Sequence, residues 1–179
     1  MHKKFWLLEI AGLFFTAAGC FFMRRLYALS GYGLSGVLFG SVNNSPWEFA
    51  KTLFLPYLAW SLLELLCLGG GMRRLAVSKA AALGVLLGVY LGLSLPELPE
   101  PLCSVLSVAA ASAVSFALNR GTLDLEAVFP VALCALFLML AFYFCFTPFP
   151  PQNALFADKI SGQYGIPPLG YDFGADVLR

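Results

Sequence analysis

Apolar residues fall in long unbroken blocks along this chain rather than alternating with polar ones. A helix crosses a bilayer with roughly 20 apolar residues at about 1.5 Å each. The blocks predict spans over Phe5–Phe22, Trp47–Leu68, Ala76–Leu95, Leu102–Leu118 and Glu126–Phe146. Each is closed by helix-ending or charged residues: Arg24-Arg25, Gly69-Gly70-Gly71 with Arg73-Arg74, the Pro96–Pro101 loop, Asn119-Arg120-Gly121, and Pro148, Pro150 and Pro151. The uncharged stretch Leu26–Ser45, rich in glycine, serine and asparagine, is either a sixth span or a half-inserted segment around Leu34–Val42. The second is favoured, because a full span would leave almost no residues to turn before Pro46. Irregular backbone at that depth is tolerated only where protein buries it. Residues 147–179, rich in proline and glycine, form an extramembrane tail, so residues 1–146 are the bundle. The expected architecture is all-α: a polytopic transmembrane helical bundle of about five spans, a re-entrant or irregular segment after the first, and a folded C-terminal tail.

Composition agrees. Of the 179 residues 60% are hydrophobic and 12% charged, and mean hydropathy is +0.81. Soluble domains are nearer half apolar and a quarter charged. A net charge of +1 and the lack of a basic tract exclude a nucleic-acid partner. The first block lacks an A-x-A-like cleavage site and reads as an uncleaved span. With five spans, Lys3, Lys4, Arg73, Arg74, Lys79 and Arg120 share one side, against Arg24, Arg25, Lys51 and Lys159, which favours an inside amino terminus. Cys20, Cys67, Cys103, Cys134 and Cys145 all lie in apolar runs without metal-ligand spacing, and read as small buried hydrophobes. Neither a metal nor another cofactor is expected.

Helix faces carry further information. Ala80, Gly84, Gly88 and Gly92 recur every four residues, a spacing that lets two helix backbones approach closely. Ser107, Ala111, Ser115 and Asn119 form a similar stripe, and the first span offers Gly12, Thr16 and Gly19 beside Glu9. The Leu- and Phe-rich fifth span has none and is expected to face lipid.

Buried charge is the strongest functional signal, since a carboxylate in a membrane helix costs roughly 2.5–3.5 kcal/mol. Glu9 and Glu64 both lie about one turn from a helix end, at similar depth if their helices are antiparallel. They form either a proton- or cation-binding pair, or two interfacial acids neutralised by Lys3, Lys4, Arg73 or Arg74. A second cluster opens the second span. Ser45-Pro46-Trp47-Glu48 has the form of a capping box with proline at the first helical position. Lys51 follows on the face of Glu48, with Asn43 and Asn44 just before the cap. Arg24 and Arg25 end the first span on that side, and the tail, with Asp158, Lys159 and Tyr164, emerges there. The candidate ligand-binding face is therefore Asn43, Asn44, Glu48, Lys51, Arg24, Arg25, Asp158 and Tyr164. The tail's apolar residues predict that it folds back over this face, with Asp158 meeting Arg24, Arg25 or Lys51.

The segment Phe39–Lys51, followed by Phe54, Leu55 and Pro56, resembles the signature of an uncharacterised family of small bacterial integral membrane proteins, classed as a domain of unknown function. Its pattern is close to N-E-S-x-W-E-H-x-K. The segment Pro151–Ile166 also resembles that family's ending. Asn44 stands where the family usually has Glu and Phe49 where it has His, so a metal or acid–base role for those positions has no basis here. The resemblance implies a bacterial inner or plasma membrane location and no activity.

The leading expectation is a multi-pass membrane protein that binds a small solute, a lipid headgroup or a partner at the Asn43–Lys51 face. The alternative is a transporter or channel component using Glu9 and Glu64, which at five spans needs a homo-oligomer or a membrane partner. A membrane enzyme is least expected: His2 is the sole histidine, and no H-E-x-x-H, G-x-S-x-G or aspartate pair occurs.

Overall fold

The computed structural model describes residues 2–68, 71–96 and 98–167. The described residues are helical, with no strand beyond one antiparallel bridge between Ala157 and Tyr164. The helices are α1 (His2–Leu29), α2 (Leu34–Phe39), α3 (Pro46–Leu68), α4 (Met72–Ser94), α5 (Glu100–Arg120) and α6 (Phe129–Cys145). Four of them, α1, α3, α4 and α5, are long and apolar enough to cross a membrane.

The largest departure from expectation is α1, which runs through Arg24 and Arg25 to Leu29. Arginine is a good helix former, so it marks where a span leaves the hydrocarbon, not where the helix stops. The stop comes from Gly31 (φ 64) and Tyr32 (φ 62), both left-handed. There the Tyr32 N–H donates to the Tyr27 carbonyl at 2.9 Å, closing the turn as a left-handed C-cap does. In the ambiguous stretch that follows, the only helix is α2, six residues long. At about 9 Å it is too short to span. At the Pro96–Pro101 loop, α5 starts at Glu100, with Pro99 before it and Pro101 in its first turn, where a missing N–H does no harm.

Helices α1, α3, α4 and α5 form a bundle, α3 lying between α1 and α4. The ring closes between α1 and α5, where Trp6 meets Phe116 edge-on at 5.0 Å and Arg24 pairs with Glu100. The core holds Phe54 and Tyr57 of α3, Leu83, Leu86 and Tyr90 of α4, and Ala111 of α5. Helix α6 packs on α4 and buries only Tyr143, as expected of a lipid-facing helix. Its direction is fixed by its ends. It follows α5, whose last carbonyls (Leu118 and Gly121) are held by Arg74 near the start of α4. It finishes with Thr147 beside the start of α3.

The small-residue stripes divide. On α1, a methyl group added at Gly12 would overlap the Trp60 ring, and one at Gly19 would overlap Pro56. Ser107, Ala111 and Ser115 of α5 are fully buried. The α4 stripe does the opposite: Gly84, Gly88 and Gly92 are exposed, with open space around each. Helix α4 turns its larger residues, Leu83, Leu86 and Tyr90, inward instead. Gly88→Leu, expected from the sequence to disrupt packing, is now expected to leave the unfolding midpoint in detergent unchanged. Gly19→Leu should lower stability by about 1–3 kcal/mol through overpacking against Pro56. Equal midpoints for the two variants would contradict this placement.

The cysteines divide as well. Cys20 and Cys103 are buried, whereas Cys67, Cys134 and Cys145 are exposed on the bundle's outside. An apolar run in a membrane helix is apolar all round, so it does not say which side chains point inward.

Candidate functional site

Two buried centres, each built from glutamate and lysine, lie towards opposite ends of α3. Glu48 is in its first turn and Glu64 near its last. At 1.5 Å per residue their backbones are about 24 Å apart.

The first centre opens α3. The Ser45 hydroxyl accepts the Glu48 N–H at 3.3 Å, as the capping box predicts. The reciprocal half of the box is replaced: the Ser45 N–H goes to Asn43 Oδ1 at 2.9 Å, and the Glu48 carboxylate is used elsewhere. Its Oε2 accepts the Val42 N–H at 3.1 Å, its Oε1 accepts the Thr147 hydroxyl at 2.8 Å, and Lys51 Nζ touches both oxygens at 3.1 and 3.2 Å. Lys51 also donates to Thr147 and lies 5.1 Å from the Tyr143 ring centre. Glu48 and Lys51 are 2% and 1% exposed, a charge-balanced pair sealed from solvent.

The tail closes this end, as the sequence suggests. The Trp47 N–H donates to the Leu155 carbonyl at 2.9 Å, and Asn43 Nδ2 donates to the Gly165 carbonyl at 2.9 Å. The Trp47 ring packs against Phe146 and Phe156 at 5.3 and 5.2 Å. The recess under the tail does not admit a water-sized sphere.

The rest of the proposed face disperses. Asp158 meets no cation. It is buried within its own turn, where Oδ1 accepts the Ile160 N–H at 3.1 Å and Oδ2 the Ser161 hydroxyl at 2.7 Å. A short carboxylate reaches local N–H groups more readily than a distant arginine. Tyr164 contributes its backbone to the bridge with Ala157 while its ring stays half-exposed. Arg24 is drawn away by Glu100 and lies over the Phe49 ring at 4.9 Å. Arg25 is exposed over Phe21 at 4.6 Å. Asn44 is half-buried and makes no side-chain hydrogen bond among the described residues.

The second centre joins the two intramembrane acids. Glu9 of α1 and Glu64 of α3 both touch the ammonium of Lys79 on α4, Glu9 Oε1 at 2.7 Å and Glu64 through Oε2. Ser115 of α5 donates its hydroxyl to Glu9 Oε1 at 2.7 Å. Trp60 Nε1 donates to Glu64 Oε1 at 3.0 Å and to the Leu8 carbonyl at 2.9 Å. Glu64 and Lys79 are 0% and 3% exposed. The sequence places both acids at a common depth and offers Lys3, Lys4, Arg73 and Arg74 as their cations; in the structure the ammonium at both is that of Lys79, which the sequence alone puts near the membrane surface. The available signal was depth. Lys79 lies two turns into α4, where an antiparallel helix passes the level of Glu64.

The two centres differ in charge. Glu48–Lys51 is balanced one to one, as is Arg24–Glu100. Glu9–Lys79–Glu64 sets two carboxylates on one ammonium. Among the described residues no three histidine, cysteine or acidic side chains come together to hold a metal ion. No family model, curated protein or solved structure matches the chain.

Proposed function

We propose that the chain is a five-span protein of the bacterial inner or plasma membrane that binds a cation at Glu9–Lys79–Glu64, as the ion-binding component of a transporter or channel assembly. One observation carries this reading: two buried carboxylates converge on a single ammonium, leaving a formal negative charge at the centre among the described residues. Uncompensated charge in such a place is strongly unfavourable, and intramembrane acids mark ion and proton sites by default. The Asn43–Lys51 face is instead the seat of the tail, since Glu48 and Lys51 satisfy each other and Asn43 holds the tail backbone. The family resemblance of Phe39–Lys51 and Pro151–Ile166 fits that role, because these two segments are the ones that meet.

The fifth span is α6. Its 17 residues reach about 25 Å, the short end of the spanning range, and it joins the two ends of the bundle. Helix α2 is the irregular segment that dips beside α3 without crossing. Lys4, Arg73, Arg74 and Arg120 then share one face with the amino terminus, which faces the cytoplasm. Five spans are few for a lone carrier, so the working unit is a homo-oligomer or includes a membrane partner.

Ligand binding raises the unfolding midpoint. In nanodiscs, the midpoint is expected to move by more than about 2 °C across pH or added sodium or potassium, which corresponds to roughly 1 kcal/mol at this chain length. Glu64→Gln should flatten that response. A wild-type midpoint indifferent to protons and both metals would overturn the reading.

A further inference from the structure

We infer that the cation site at Glu9–Lys79–Glu64 extends inward to the hydroxyls of Thr16 and Tyr57, and that it takes a singly charged cation that keeps part of its water. The inference rests on the reading of this centre as a cation site and names further ligand groups and the class of ligand.

The buried hydroxyls of the bundle fall into two groups. A serine or threonine inside a helix can donate to a carbonyl of its own preceding turn. Thr52, Ser61, Ser78 and Ser107 all do so, at 2.7, 2.7, 2.8 and 2.9 Å. Thr16 does not. It is 0% exposed, and its Oγ1 has no hydrogen-bond partner among the described residues. Tyr57 is 5% exposed, and Ser112 of α5 stands beside its hydroxyl without closing a hydrogen bond. A third oxygen joins these two. Glu64 Oε2 touches the Lys79 ammonium without making a hydrogen bond, in a side chain that is 0% exposed. Leaving a buried polar group unpaired is unfavourable and uncommon.

Helix register puts the three oxygens in one region. Gly12 meets Trp60 and Gly19 meets Pro56, so α1 and α3 run antiparallel. Thr16 follows Glu9 by seven residues on α1, and Tyr57 precedes Glu64 by seven on α3. Seven residues are about two turns, so each hydroxyl residue shares a helix face with its acid. Both stand at one level, about 10 Å along the axis from the acids and deeper in the bundle. Tyr57 covers the interval, its ring centre 5.5 Å from Lys79 Nζ. The unpaired oxygens therefore begin at Glu64 and continue past the tyrosine to Thr16.

Two properties define the occupant. Two carboxylates and one ammonium leave one formal negative charge among the described residues, which one positive charge balances. Hydroxyl and carboxylate oxygens suit hard cations and water rather than soft metals. Water joins polar groups that stand too far apart to share one bare ion, by hydrogen-bonding to each. A hydrated proton and a hydrated sodium or potassium ion share this chemistry. Among the described residues, the titratable and charged groups facing the region are Glu9 on α1, Glu64 and Tyr57 on α3, and Lys79 on α4. Helix α5 brings the neutral Ser112 and Ser115.

The consequence has opposite signs for folding and for binding. Tyr57→Phe and Thr16→Val each remove an unpaired hydroxyl and keep the shape of the side chain. Each variant should therefore unfold at or above the wild-type midpoint when cation is low. Each should also need about tenfold more cation to raise that midpoint, the loss expected for one hydrogen bond to a charged ligand. Ser107→Ala, which removes a paired hydroxyl, should leave the cation dependence unchanged.

The full chain in nanodiscs is titrated with protons at fixed salt, and with sodium or potassium chloride at fixed pH. A tenfold shift in the proton series assigns the hydrated proton, and one in the salt series assigns the hydrated metal. Wild-type cation dependence in both Tyr57→Phe and Thr16→Val overturns the role of the hydroxyls and leaves the cation-site reading standing. A lowered starting midpoint in both does the same, because it shows these hydroxyls paired inside the bundle. A wild type that answers to neither protons nor metals overturns both readings.

Discussion

Lys79→Met is expected to destabilise the bundle by about 3–5 kcal/mol at neutral pH. Removing one partner of a buried ion group leaves uncompensated charge, which is far worse than removing the whole group. In this case two carboxylates, on α1 and α3, would be left to repel across a helix interface with the Trp60 and Ser115 donors as their remaining partners. Adding Glu9→Gln and Glu64→Gln to Lys79→Met removes every charge from the centre and should recover most of the loss. Unfolding in graded denaturing detergent, followed by circular dichroism, measures both effects. Wild-type stability in Lys79→Met at neutral pH would show that the ammonium is not what holds the acids in place.

The second large effect belongs to the tail. Phe156→Ala should cost about 3–5 kcal/mol of tail docking, as truncations of buried aromatics do. Phe156 is 7% exposed and packs against both Trp47 and Phe146, so its ring fastens residues 147–167 to the start of α3. Hydrogen exchange at Leu155–Ile166 reports the release, which should reach the Trp47 amide because its acceptor is the Leu155 carbonyl. Asp158→Ala should cost less, about 1–3 kcal/mol, by leaving the Ile160 N–H without its acceptor. Asp158→Asn keeps Oδ1 as that acceptor and should cost least. Unchanged exchange in Phe156→Ala would show that the ring does not anchor the tail.

The long apolar helices were legible because block length and breakers are properties of the chain alone. The start of α3 falls within one residue of expectation, and α2 appears where a full span had no room to turn. The end of α1 was not legible, because Arg24 and Arg25 signal the water boundary while Gly31 and Tyr32 set the backbone. Facing was the weakest inference. In a soluble helix the polar side identifies the exterior, but lipid removes that contrast. Small residues at helical spacing then mark an inward face on α1 and an outward face on α4 with equal clarity in sequence. The candidate site was half legible. Glu9 and Glu64 stand out because acids in apolar runs are unfavourable. Lys79, two turns inside α4, looked like a membrane-end cation, and Thr147 looked like the residue after a helix. Both were recognisable only once packing brought distant segments together.

Those long separations bear on how the protein is made. Glu9 is synthesised 70 residues before Lys79 and 106 before Ser115, and Glu48 precedes Thr147 by 99. The acids of the first two long helices therefore leave the ribosome well before the groups that hold them. Until α4 emerges, α1 and α3 carry intramembrane acids that have only local partners, and they must wait at a protected or watery site rather than disperse into lipid. The closing contacts come in a fixed order, the Lys79 centre with α4 and α5, the Glu48 centre only after α6. A chain stalled before residue 147 would display Glu48 and Lys51 without the Thr147 hydroxyl that bridges them.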